Sequence, residues 1–174
     1  MLHRWLLALT LPLYALDQLT KAWVLRRFAP PDSMLDERIE VVPGFFWLHR
    51  VHNTGIAFGR FNGGAYSNVI FGGISITALV AVAILWRRGG FPTRAGKAAA
   101  ALLMSGIVGN LTDRFAHGYV VDFLLFRLGS LYARLTGNEY FPSFNLADSC
   151  ICVAAGLLFL SAWQKSPKLA KSTT

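Results

Sequence analysis

The sequence predicts an all-α membrane protein: four transmembrane helices, a small extracytoplasmic β element and one short helix on the outer surface. Three observations carry this. The 174 residues are 54% hydrophobic and only 15% charged, with a mean hydropathy of +0.44, whereas soluble domains carry roughly 25% charged residues. The apolar residues gather into four runs of roughly 20 residues, the length that crosses a hydrocarbon core of about 30 Å. The excess of positive charge flanks those runs. The length allows one domain, residues 1–174, and the composition excludes disorder, collagen-like repeats and a disulfide-rich scaffold.

The first run covers about residues 5–23, the second 69–86, the third 98–115 and the fourth 144–163. Trp5, Trp23, Trp86 and Trp163 stand where interfacial aromatics belong. Eight of the seventeen basic residues occupy three acid-free segments: Arg4; Arg87, Arg88, Arg94 and Lys97; and Lys165, Lys168 and Lys171. The other nine are matched by the nine acids, so the whole net charge of +8 lies beside apolar runs. That is a positive-inside pattern rather than a basic groove for phosphates, and nucleic acid drops out as a partner. Both termini are then cytoplasmic, with residues 24–68 and 116–143 outside. Arg4 and the apolar 5–16 resemble a signal peptide, but no small-x-small site follows, and Asp17, Lys21 and Trp23 continue the helix, so the segment reads as retained.

The outer loops differ from each other. Residues 39–61 are rich in β-branched and aromatic types, and 45–51 with 56–61 around Asn53-Thr54-Gly55 read as a hairpin-like pair. Asn62-Gly63-Gly64 then reads as a flexible connection into the second span. Leu124, Leu128, Leu131 and Leu135 recur at helical spacing, with Arg127, Ser130 and Arg134 on another face. A helix lying on the membrane surface or a packed extramembrane helix both fit.

Four carboxylates converge on the outer boundary. Asp17 lies 12 residues past Trp5, roughly 18 Å from the inner end at the helical rise. Asp113 and Arg114 end the third span, Asp122 follows, and Asp148 opens the fourth. Ionisable groups at such depth are costly and mark functional sites. Asp17 and Lys21 stand at i, i+4 in the favourable order and read as a structural ion pair. Adjacent helical residues do not face each other, which leaves Arg114 able to meet a substrate carbonyl while Asp113 bonds elsewhere. Asp122 and Asp148 have no basic sequence neighbour. Packed together, they share one proton and form an acid–base pair; apart, they are capping or hydrogen-bonded aspartates.

Other chemistries have little support. His3, His49, His52 and His117 form no zinc motif, and His49 and His52 read as loop residues. No serine stands in G-x-S-x-G, and no nucleotide glycine pattern occurs. Cys150 and Cys152 point to different faces of one helix and read as small apolar filler.

The ordered segments Asp17-Gln18-Leu19-Thr20-Lys21, Asn53-Thr54-Gly55-Ile56-Ala57-Phe58, Gly109-Asn110-Leu111-Thr112-Asp113-Arg114, Val121-Asp122-Phe123 and Phe144-Asn145-Leu146-Ala147-Asp148 resemble the motifs of lipoprotein signal peptidase, also called signal peptidase II. The resemblance covers about residues 13–160. It implies a multi-pass aspartic endopeptidase of the bacterial inner membrane, with its active site at the periplasmic face, that removes the signal peptide of diacylglyceryl-modified prolipoproteins before the lipidated cysteine. Carried over by motif, the catalytic pair is Asp122 and Asp148. Supporting residues fall on Asp17, Lys21, Asn53, Asn110, Asp113, Arg114 and Asn145, with Asn110 and Arg114 expected to hold the substrate backbone. The outer strands would be a β-cradle and 58–68 a mobile cover. The interval from Asp122 to Asp148 is longer than the family pattern suggests, which leaves the outer rim open. The resemblance calls for no metal and no cofactor; the partners are the prolipoprotein and membrane lipid, with no obligate protein partner.

The rival readings are a small proton- or ion-coupled transporter and a magnesium-dependent phosphatase or lipid transferase using Asp113, Asp122 and Asp148. Acids at one face rather than the midplane, with no inverted repeat, weigh against the transporter.

Overall fold

In the computed structural model, which describes residues 2–33, 35, 37–55 and 65–163, the chain is mostly helical with one small sheet. The N-terminal segment runs through α1 (Leu2–Trp5), a π-helical turn (Leu6–Thr10) and α2 (Leu11–Arg27), followed by strands β1 (Arg38–Val42) and β2 (Phe46–Asn53). Then come α3 (Ala65–Arg87), α4 (Arg94–His117), β3 (Val120–Phe126), α5 (Ser130–Thr136) and α6 (Leu146–Trp163). Helices α3 and α6 include stretches, Ser67–Arg87 and Leu146–Trp163, long and apolar enough to cross a membrane.

The polarity of the bundle is inverted. Apolar side chains point away from it: Leu19 is 68% exposed, Val69 72%, Phe159 65% and Trp163 71%. Its interior holds Asp17, Lys21, Ser105, Asn110, Asp113 and Asn145, all buried. Water would not tolerate that arrangement, whereas hydrocarbon outside the helices rewards it, since ionisable groups in a membrane face the bundle interior.

Small residues set the helix spacing. A Cβ on Gly109 would stand 2.6 Å from Asp17 Oδ2 and 3.2 Å from Ala147, and one on Gly106 would run into the Ala147 carbonyl. The two glycines of α4 therefore let α2 and α6 close on it from either side, as small residues do wherever helices pack without a hydrophobic drive. At the other end of α4, Thr93 accepts the Gly96 N–H at 2.9 Å and meets Ser161 of α6 at 3.0 Å. Gly118, at φ +82°, ends the helix, its N–H bonding the Arg114 carbonyl.

The sheet is antiparallel in the order β1-β2-β3. Gly44, at φ +67°, turns β1 into β2, with the Phe45 N–H on the Val42 carbonyl at 3.0 Å. Strand β3 follows α4 directly, so the sheet is tied to the end of that helix. Beneath it, Val24 and Phe28 of the N-terminal segment pack on Val121 and Phe123.

Several expectations need correction. Strand β2 pairs with β1 over residues 46–49 and with β3 over 46–48 and 51–53; its expected partner 56–61, Asn62-Gly63-Gly64 and the first part of the expected cover lie outside the described residues. The remainder of that cover, residues 65–68, opens α3, which starts four residues earlier than the apolar run. The first helical segment continues past residue 23 to Arg27. Leu124 belongs to β3, where the alternation Val120, Asp122, Leu124 overrides the four-residue spacing, and the outer helix shrinks to α5. Leu131 and Leu135 are 72% and 81% exposed, as in a helix that lays its leucines on a membrane surface. His49 and His52 are strand residues, not loop residues.

Candidate active site

Lys21 makes the innermost contacts of the polar cluster. Its Nζ lies 2.9 Å from Asp17 Oδ2 and 3.0 Å from Asp113 Oδ2, and donates to Asn110 Oδ1 at 3.0 Å. An ammonium has three protons and no acceptor, so these three contacts satisfy it. The i, i+4 pair with Asp17 is present as expected; the partnership with Asp113, from α4, is not legible in local spacing. Both acids hold backbone as well. Asp17 Oδ1 accepts the Ala147 N–H at 2.9 Å, and Asp113 Oδ2 accepts the Val121 N–H at 3.0 Å. Gln18 bridges them, its Nε2 reaching Asp17 Oδ2 at 3.1 Å and Asp113 Oδ1 at 3.2 Å. Sequence reasoning passed over Gln18, although it stands inside the Asp17–Lys21 motif.

Because Lys21 can only donate, Asn110 must turn its carbonyl oxygen toward it, which leaves the amide nitrogen on the other side. That nitrogen donates to Asp148 Oδ1 at 2.7 Å. Asn145 is fixed by similar logic. Its Oδ1 accepts the Asp148 N–H at 2.9 Å while the Asn145 N–H donates to Asp148 Oδ2 at 3.2 Å. This is a reciprocal capping box at the start of α6, with aspartate in the position more often held by glutamate. The Asn145 amide nitrogen is thereby left to donate to Asp122 Oδ1 at 2.7 Å and Asn110 Oδ1 at 3.1 Å. Asn53 completes the ring: its Oδ1 accepts the Gly55 N–H at 2.8 Å, so its Nδ2 donates to Asp122 Oδ2 at 2.8 Å.

The structure thus brings Asp122 and Asp148 into one network, with all of the expected supporting residues around them. Each carboxylate oxygen of the pair receives one N–H. Burial pushes the Asp122 carboxyl up to about 7, and the negative charge of Asp148 acts in the same direction. Near pH 7 the Asp122 carboxyl thus still carries its proton in a large share of molecules, the form that a general acid needs.

A cleft of about 520 Å3 opens at Asp122, lined also by Asn53, Gly55, Phe71, Arg114 and Ser143, among others. Arg114 lies over the Phe71 ring at 5.6 Å and donates through Nη1 to the Asn110 carbonyl at 3.3 Å. Its buried Nε has no acceptor among the described residues. Gly55, at φ +88°, passes so close to Phe71 that a Cβ would overlap the ring. On the far wall, His52 accepts from Arg50 Nε at 2.9 Å and stacks on Tyr119 at 3.7 Å. Burial, then the Arg50 charge, lowers its pKa, so the ring stays neutral with its proton on Nδ1. Phe71 carried no signal in the sequence, because α3 brings it to the cleft through tertiary packing alone, whereas His52 and Ser143 directly precede the Asn53 and Phe144-Asn145 motifs.

The family model for Signal peptidase (SPase) II matches residues 9–164. A lipoprotein signal peptidase of Symbiobacterium thermophilum is 44% identical over 146 residues, 83% of this chain and 84% of that protein. Those of Neisseria meningitidis serogroup C and Xylella fastidiosa are 40% and 38% identical, covering 90% and 94% of this chain and 86% and 92% of their own. Two bacterial membrane enzymes solved by the in meso method share the fold, with TM-scores of 0.73 and 0.71 at 24% and 25% identity. They cover 95% and 90% of this chain and 91% of each of theirs.

The raised Asp122 carboxyl has a consequence for stability. The native state keeps this proton between 3.8, the ordinary value, and about 7, where an unfolded chain has already released it. The group therefore stabilises the fold fully below about pH 4, and this contribution is lost as pH rises through about 7. Thermal melts in detergent should fall across that window in the wild type, and the fall should be shallower in Asp122→Asn. Equal slopes would place the titration on another group.

Proposed function

Because the chain belongs to the signal peptidase II family, we propose that Asp122 and Asp148 are its catalytic pair. The protein is a bacterial membrane aspartic peptidase that removes signal peptides from prolipoproteins; the transporter reading finds no support among its relatives. The observation that carries the assignment is the pair itself: two carboxylates joined through Asn145 and Asn110, with the protonated one, Asp122, lining the cleft.

In this mechanism ionised Asp148 takes a proton from water as the oxygen attacks the scissile carbonyl. Protonated Asp122 gives its proton to the carbonyl oxygen. The gem-diol intermediate then collapses. Asp148, now protonated, gives its proton to the leaving amine while ionised Asp122 takes back a proton from one hydroxyl. The carboxyl of the product thereby reforms its C=O, and the pair ends where it began, holding one proton. Arg114 supplies donors for the substrate backbone, its buried Nε having no acceptor among the described residues. Asn110 has a positioning task beside the one the motif suggests. Its oxygen is held by Lys21 and Asn145 and one hydrogen of its nitrogen is on Asp148, so it positions the pair and keeps a second amide hydrogen for the substrate. A magnesium site on Asp113, Asp122 and Asp148 is disfavoured, since Lys21, Val121 and Gln18 already engage both oxygens of Asp113.

The substrate class follows from depth. A diacylglyceryl-modified peptide is held in the bilayer by its chains, and its scissile bond before the lipidated cysteine lies near the headgroups. The reading is a single domain with four crossings by residues 2–27, α3, α4 and α6, of which the first and third bury Asp17, Lys21 and Asp113 inside the bundle. The pair then lies at the outer face of the inner membrane, with both termini in the cytoplasm.

Purified protein given a diacylglyceryl-modified prolipoprotein should release the signal peptide. Asp122→Asn and Asp148→Asn should each lower kcat by roughly 1000-fold or more, with the double variant little worse, since the two act as a unit. Near-normal turnover in either single variant would remove it from the chemistry. Reporter fusions after Lys97 and at the C-terminus should read cytoplasmic, and fusions near Met34 and Gly137 external. An external C-terminus would overturn the four crossings.

A further inference from the structure

Ser143 lines the cleft with Asp122 and Arg114, and the acid–base mechanism gives it no task. Its hydroxyl stands 2.7 Å from Nε2 of His49. His49 belongs to β2, which pairs with one edge of β3, whereas Phe144, the residue after Ser143, bridges Leu124 on the other edge. The two side chains therefore meet across β3, the strand that carries Asp122.

The backbone holds Ser143 from both sides. The Phe141 N–H donates to the Phe126 carbonyl at 2.8 Å, and Phe144 exchanges hydrogen bonds with Leu124 at 2.9 and 3.2 Å. Between these anchors Pro142 has its φ fixed by its ring. Two residues beyond Ser143, the Asn145 amide donates to Asp122 at 2.7 Å. The hydroxyl is thus set in place, in fixed register with Asp122, before a ligand arrives, and such preorganisation lowers the cost of binding.

An extended peptide presents one N–H and one C=O per residue. The groups that meet the substrate backbone, the Arg114 guanidinium and the second amide hydrogen of Asn110, are donors and serve its carbonyls. A peptide N–H drawn into the cleft needs an acceptor, because without one it carries its full desolvation penalty. Asp122 and Asp148 are engaged in the proton transfers. The bond between Ser143 and His49 uses either the hydroxyl proton or one of the two lone pairs on Oγ. At least one lone pair therefore remains beyond that bond, whichever ring nitrogen of His49 carries the proton.

We propose that Ser143 is a substrate-binding residue whose Oγ accepts a backbone N–H of the prolipoprotein beside the scissile bond, with His49 as the positioning residue that holds the hydroxyl. This contact presupposes the peptidase reading and adds the acceptor half of its main-chain recognition. Because it engages main chain, it fixes where the peptide lies without reading its side chains.

The test uses the full-length protein in detergent with synthetic diacylglyceryl lipopeptides. Each amide near the scissile bond, the scissile one excepted, is replaced in turn by an ester, which removes one N–H. The wild type should cleave the parent and lose about fivefold in kcat/KM with one of the esters, the loss lying in KM. Ser143→Ala should lose a similar factor on the parent and no longer distinguish that ester from it. Ser143→Thr, which keeps the hydroxyl, should restore the discrimination. His49→Phe should weaken it and add little to Ser143→Ala in the double variant. The ratio of parent to ester is taken within one variant, so it does not depend on the fraction that folds. A wild type that cleaves no lipopeptide overturns the peptidase reading, and the Ser143 contact with it. Three results with an active wild type overturn the contact alone: no ester penalty at any position, the same penalty in Ser143→Ala, or complete loss of cleavage in Ser143→Ala, which a single binding contact does not produce.

Discussion

Lys21 is 2% exposed, and an ammonium at that depth cannot be kept without acceptors on every side. Asp17 comes from its own helix, Asp113 and Asn110 from α4. Those acids in turn hold the Ala147 N–H at the start of α6 and the Val121 N–H at the start of β3. One buried cation thus ties α2, α4, α6 and the sheet together at a single level, and Gly106 and Gly109 are the steric condition for it.

The arrangement of the proposed chemistry follows from the direction of these bonds. A donor-only lysine fixes Asn110, and Asn110 presents its amide nitrogen to Asp148; the capping box at Asn145 then presents the next amide nitrogen to Asp122. The cluster holds two cations, Lys21 and Arg114, against four carboxylates. With the proton on Asp122 the balance is minus one rather than minus two, which is why burial and the charge of Asp148 raise that carboxyl. The charge that remains is the base.

How much of this was legible depended on whether the signal was local. The helical segments were visible as apolar runs, and their ends moved by a few residues because capping and the Pro12 π-turn are invisible to hydropathy. The Asp17–Lys21 pair was legible because i, i+4 is a contact rule. The Lys21–Asp113 pair was not, since it joins two helices, and this contact turned Asp113 from an unpaired acid into a structural one. Residues 45–51 were readable as a strand, but their partners were not, because β3 arrives from 67 residues later in sequence, counting from Asn53 to Val120. Phe71 entered the cleft wall unannounced for the same reason.

The central claim is that Lys21 serves the reaction by orienting Asn110, beyond neutralising its two acids. The most direct measurement is kcat of the charge-neutral variant Lys21→Met, Asp17→Asn, Asp113→Asn, whose buried cluster carries no unpaired ion from this group. The account predicts a folded protein in which kcat falls about tenfold or more, because Asn110 has lost the donor that sets its amide and with it the aim of Asp148. A folded variant that cleaves prolipoprotein at the wild-type kcat would contradict it.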